Sequence, residues 1–111
     1  RGTAYFLTNQ YQEALDDFTR GISLKSDSSR LYCSRGNTYL ALNQTDSALN
    51  DLNQAIELDP QYPSAYFCRS EVLNRIGEKK LAEADQETAT RLQQQISQAV
   101  LETQGIMFQN W

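Results

Sequence analysis

The 111-residue chain contains no histidine, and with it go the commonest general base of enzymes and the commonest metal ligand. Cysteine is almost as scarce. Cys33 and Cys68 are too few and too far apart for a disulfide framework, and no CxxC pair occurs, so the expectation is reduced thiols in a reducing, cytoplasmic setting. Neither thiol has a histidine to activate it as a nucleophile. Positive charge is also short, with 10 Lys and Arg against 14 Asp and Glu for a net charge of -4. That balance disfavours a phosphate-backbone ligand, so no nucleic-acid partner is expected. No run reaches the roughly 18 apolar residues of a membrane span, and no charged stretch followed by an apolar one opens the chain. No membrane contact is therefore expected of this segment. Carboxylate pairs such as Asp16 with Asp17, or Glu83 with Asp85, read as solvated helix faces with no partner base. The expectation is a protein with no catalytic step, no cofactor and no metal.

What the chain does have is a repeat. Shifted by 34 residues, Arg1 falls on Arg35 and Arg69, Ala14 on Ala48 and Ala82, and Asp17 on Asp51 and Asp85. Between the first two copies, Gly2, Tyr5, Asn9, Gln10, Leu15, Ile22 and Leu24 also return as Gly36, Tyr39, Asn43, Gln44, Leu49, Ile56 and Leu58. Chance does not supply so many coincidences in so short a window. Inside a copy the apolar spacing is helical: Ala48, Leu49, Leu52, Ala55 and Ile56 share one face, with Asp46, Asn50, Asn53 and Glu57 on the other. Each copy is expected to hold two helices. The slot between them carries Asn9, Asn43 and Gly77, the residue types that best accept a left-handed conformation at a helix end. Pro60 closes one helix and Pro63 opens the next, while the serines of residues 26–29 offer caps at the equivalent junction. The acceptor-like triplet Asn43-Gln44-Thr45 falls in the turn slot and reads as a turn rather than a glycosylation site.

A 34-residue period of helix, turn and helix resembles the tetratricopeptide repeat, whose signature is W-x2-L-G-x2-Y, then A-x3-F, then P. Copy two fits best, with Tyr32, Gly36, Tyr39, Ala48, Leu52 and Pro60 in those slots. Copy one keeps Gly2, Tyr5, Ala14 and Phe18, and copy three keeps Tyr66, Gly77, Ala82 and Ala89 while Ser70, Leu73, Gln86 and Gln94 depart. The resemblance implies an all-α fold, an α-α superhelix or solenoid. We expect one domain with repeat 1 at 1–28, repeat 2 at 29–62, repeat 3 at 63–94, a helical extension over 95–104 and a tail over 105–111. The chain begins inside a repeat, which points either to a longer protein or to a shortened first helix.

Three arginine–aspartate pairs recur sixteen residues apart: Arg1 with Asp17, Arg35 with Asp51, and Arg69 with Asp85. They suggest ion pairs joining the helices of each repeat, the other reading being ligand-binding arginines. Beyond Gly77 no Pro or Gly occurs before Gly105, and Leu92, Ile96, Val100 and Thr103 continue an apolar stripe. The last helix is therefore expected to run on to Gly105, serving as a solenoid cap or as a surface for self-association through residues 92–111. Ile106, Met107, Phe108 and Trp111 form an apolar tail whose packing the sequence leaves open.

The resemblance also implies that the first helix of each repeat lines an inner face that binds a peptide or partner protein. Helical phase assigns Thr3, Phe6 and Leu7 to that face in copy one. Its candidate contacts in the later copies are Arg30, Cys33, Ser34, Asn37 and Leu40, then Phe67, Glu71, Asn74 and Arg75. The family's two-carboxylate clamp for chaperone tails needs Lys, Asn and Arg in slots that here hold Thr3, Ser34, Ser64 and Cys68; a shifted frame recovers only Asn37, with Cys33 in the lysine slot. An adaptor that does without the clamp is the expectation. The alternatives are a self-assembly module or a regulatory piece of a larger enzyme.

Overall fold

Apolar spacing sets where helix forms in this chain, and a handful of residues set where it stops. The computed structural model describes the backbone of residues 2–109 and the side chains of residues 8–103. The described residues form five helices in order: α1 (Gly2–Leu24), α2 (Ser29–Ala41), α3 (Thr45–Leu58), α4 (Pro63–Arg75) and α5 (Lys79–Gln109). No strand occurs among the described residues, and none of the helices is long and apolar enough to cross a membrane.

The α2–α3 and α4–α5 turns are the same structure written twice. Asn43 has φ 64° and Gly77 φ 88°, and the next residue's N–H returns to a carbonyl five positions back: Gln44 to Tyr39 at 2.8 Å and Glu78 to Leu73 at 2.8 Å. That bond uses carbonyls the helix end would otherwise leave unpaired. Ser28 caps α2 by accepting from the Leu31 N–H. Ser29 Oγ donates to the Ala55 carbonyl at 2.7 Å, fixing the start of α2 against α3. Pro63 sits in the first turn of α4.

Asn9 departs from the expectation. It lies inside α1, which passes straight through the slot that turns in the later copies, so copy one is one continuous helix rather than two. A left-handed residue costs about 1–2 kcal/mol, which must be offset by packing between the two helices it joins. No proline or glycine stands between Thr3 and Arg20 to break the helix at this slot, and asparagine in a helix interior costs under about 1 kcal/mol relative to alanine. Helix continuation is then the cheaper state. Gly105 likewise fails to end α5, which continues to Gln109. One interior glycine costs about 1 kcal/mol, and good helix formers surround it without a proline. The side chains of the tail from Ile106 to Trp111 lie outside the described residues.

Within the α2–α3 pair, Gly36 is the contact point. A Cβ there would sit 2.9 Å from Leu52 Cγ and 3.2 Å from the Ala48 carbonyl oxygen. Leu40, Ala48, Leu52, Ala55, Ala65 and Val72 make the continuous core through α2, α3 and α4, and Ala82, Ala89 and Leu92 extend burial along α5. Beyond Leu92 that helix leaves the stack, with Ile96, Val100 and Leu101 about half exposed. The radius of gyration is 16.9 Å, against about 13 Å for a compact domain of this length. Such elongation is what neighbour-to-neighbour stacking produces.

Candidate functional site

The two faces of α4 do different work. Glu71 and Arg75 are exposed on one side; Arg69 and Leu73, two residues earlier, lie about 200° round the helix. The first pair meets α2 and α1 in a cleft of about 220 Å³. Asn37, Thr38, Leu40 and Ala41 of α2 form one wall, Glu71 and Arg75 of α4 the other, and Tyr11 of α1 the third side. Asn37 and Glu71 are exposed and bring an amide and a carboxylate to this cleft, so the lining can both donate and accept toward a peptide backbone.

Four of the nine peptide-contact candidates line the cleft: Asn37, Leu40, Glu71 and Arg75. Leu40 needs correcting, since at 2% exposed it is floor and core rather than a free contact. Arg75 Nη1 donates to the Leu40 carbonyl at 2.9 Å, which commits part of its donor set to holding α4 on α2. Cys33 is a second correction: it is buried in the core and unavailable to a ligand. Arg30, Ser34, Phe67 and Asn74 do not line the cleft, although Arg30, Phe67 and Asn74 are exposed. Thr3, Phe6 and Leu7 lie outside the described side chains. Tyr11 is the cleft residue that sequence reasoning missed. The turn expected at Asn9 would start a second helix ahead of it, whereas α1 runs unbroken past it and carries it to this wall.

Arg35 and Arg69 face the other way, into the interior of each helix pair. Arg35 Nε and Nη2 donate to the two carboxylate oxygens of Asp51 at 2.7 and 2.8 Å. Arg69 repeats this on Asp85 at 2.6 and 2.7 Å. Both aspartates are nearly buried, and these bidentate bonds push both guanidinium pKa values further up. Their donors are spent on structure, not on a ligand. Asp17 is exposed, while Arg1 lies outside the described residues.

The two thiols meet between α2 and α4. Their mutual interaction raises Cys33 and lowers Cys68 relative to an ordinary thiol, with burial working to raise both. Cys33 is the more deeply buried of the two, so Cys68 is the thiol that solvent reaches. Both are free cysteines.

Residues 36–77 match the family model of the TPR repeat. Among solved structures, the second TPR of Spaghetti (RPAP3), bound to the HSP90 peptide SRMEEVD, is 32% identical to this chain, covering 83% of it and 85% of that chain with a TM-score of 0.73. The first TPR domain of human RPAP3 is 26% identical over 94% and 90% of the two chains, with a TM-score of 0.74. The TPR2B domain of yeast Sti1, in its pHsp70 complex, is 22% identical, covers 93% and 82%, and has a TM-score of 0.77, a likeness of fold alone. No curated protein sequence matches the chain.

Proposed function

Since this chain belongs to the tetratricopeptide-repeat family, we propose that it is a protein-interaction adaptor that binds a peptide or partner protein in the cleft between α1, α2 and α4, with no catalytic step of its own. The observation carrying this reading is the convergence of Asn37, Glu71 and Tyr11, from three helices, on one open cleft. Arg30, Ser34, Phe67 and Asn74 would extend the contact surface along α2 and α4. Repeat units at 29–62 and 63–94 frame the site. The net charge of -4 keeps nucleic acid outside the proposal.

The cleft works without a two-carboxylate clamp. No lysine lies on α2 or α4, and the clamp slots are filled by Ser34, Ser64 and Cys68. A similar protein is seen with the acidic peptide SRMEEVD bound, so that peptide is the sharpest comparison ligand. A random peptide library is expected to yield ligands whose binding Asn37→Ala with Glu71→Ala weakens by about tenfold, equivalent to ~1.4 kcal/mol, while SRMEEVD fails to saturate the protein. Library ligands indifferent to the double variant would remove the cleft from the reading. Tight SRMEEVD binding would remove the clamp-free part alone.

A second reading, self-association, is favoured by the half-exposed Ile96, Val100 and Leu101 on the free end of α5. Sedimentation of the full chain and of Ile96→Gln with Val100→Gln tests it. A concentration-dependent dimer lost in the variant supports the reading, and a wild-type monomer ends it.

A further inference from the structure

Arg35 and Arg69 occupy equivalent positions in consecutive repeats and make the same kinds of contact, save that one aromatic ring beside Arg35 has no counterpart beside Arg69. Each pairs through Nε and Nη2 with its aspartate. Each sends Nη1 to a side-chain oxygen one repeat back, Thr19 Oγ1 at 3.4 Å for Arg35 and Asn53 Oδ1 at 3.1 Å for Arg69. Each lies 5.6 Å from the ring of the tyrosine three residues before it, Tyr32 or Tyr66. Arg35 then carries a second ring, Tyr39, at 5.9 Å. The residue equivalent to Tyr39 in the next repeat is Leu73.

At that register α3, α4 and α5 enclose an open cleft of about 340 Å³ beside Arg69 and Asp85, with Leu49, Leu73, Leu81 and Ala84 as its apolar walls. Such a volume falls near the lower end of ligand pockets, roughly 300–1,000 Å³. Two more differences between the repeats favour an apolar occupant: Leu81 and Ala84 stand where Ser47 and Asn50 stand one repeat earlier. Leu81 is 55% exposed at the rim, and Ala84 is also exposed.

We propose that this cleft is a second binding site, on the side of α4 opposite the α1–α2–α4 cleft, that takes a tyrosine side chain of a partner protein, its ring lying beside Arg69 as Tyr39 lies beside Arg35. The chain itself supplies the template for the occupant, because one repeat earlier the equivalent arginine, paired to its aspartate in the same way, lies 5.9 Å from a tyrosine ring. An aliphatic group would gain the walls but forgo the attraction between guanidinium and aromatic face. The Arg69 ion pair to Asp85 holds that guanidinium in place before any ligand arrives, so binding does not require ordering a long flexible side chain.

Titration of isotope-labelled protein with p-cresol, followed by NMR, tests the site, with 4-methylcyclohexanol as the aliphatic ring of matching shape. Saturable shifts are expected at the Arg69 side chain and at the amides of Leu73, Leu81 and Ala84, with p-cresol binding at least about threefold more tightly than the cyclohexanol. Leu73→Tyr refills the slot from within and is expected to weaken p-cresol about tenfold. Leu81→Asp, at an exposed position that leaves the core intact, is expected to do the same by wetting the rim. The proposal is overturned by p-cresol shifts that miss these residues, by equal affinity for the two rings, or by undiminished binding in folded Leu73→Tyr or Leu81→Asp protein.

Discussion

Replacing Gly36 by alanine sets two opposed effects against each other, and the structure decides which wins. In an exposed helix the change would stabilise by about 1 kcal/mol, because glycine is the poorer helix former by that amount. Here the new Cβ would lie 2.9 Å from Leu52 Cγ and 3.2 Å from the Ala48 carbonyl oxygen. Neither neighbour can yield cheaply: Leu52 and Ala48 are both 0% exposed, and the oxygen belongs to the backbone of α3. Overpacking a filled core costs about 1–3 kcal/mol, and a forced separation of α2 from α3 belongs at the upper end. The net expectation is destabilisation by about 1–2 kcal/mol, read as a lower urea midpoint and a melting temperature reduced by roughly 5–10 °C. Circular dichroism follows both. Leu52→Ala in the Gly36→Ala background supplies the control, since the added methyl then occupies space that the smaller side chain vacates. The double variant should be more stable than the sum of the singles by about 1 kcal/mol. A Gly36→Ala protein as stable as wild type, or strict additivity, would refute the close-packing argument.

The ion pairs are tested by double-mutant cycles. Arg35→Ala with Asp51→Ala should show coupling of about 1.5–3 kcal/mol, with somewhat less for Arg69 and Asp85, whose arginine is more exposed at 25% against 18%. Zero coupling in urea unfolding would make the pairs decorative. Asn43→Ala should cost about 1 kcal/mol because alanine must take up φ 64°, whereas Asn9→Ala, inside α1, should be neutral or stabilising by a few tenths. Equal costs at the two sites would restore a turn at Asn9. Cys68 should be alkylated before Cys33, since it is the less buried thiol and the interaction between the two lowers Cys68 and raises Cys33. Cys33→Ala removes the neighbouring thiol, so the Cys68 pKa should rise and its alkylation slow. Mass spectrometry of the alkylated protein reads both, and faster alkylation of Cys68 in the variant would contradict that interaction.

The correct parts of the sequence reading rest on residues whose meaning is local. Asn43 and Gly77 mark turns because few side chains tolerate a positive φ, and Pro63 marks a helix start because its own φ is already helical. Asn9 is the informative failure. Its neighbours are compatible with helix and with turn alike, so spacing alone does not decide between them, and the helix runs on. Gly105 failed in the same way, since a single glycine weakens a helix without breaking it. At the cleft, helical phase pointed Cys33 and Leu40 toward the right side but said nothing of depth, and α4 packs closely enough on α2 to bury both.

The period, the helical character of each segment and the pairing of Arg35 with Asp51 and Arg69 with Asp85 were legible along the chain, because they follow from spacing and from the side-chain chemistry of recurring residues. Tertiary structure decided which residues a partner can reach. Reach depends on how closely neighbouring helices approach and on what a substitution such as Leu73 for Tyr39 leaves unfilled, and those are properties of two or three helices together rather than of any one stretch of chain.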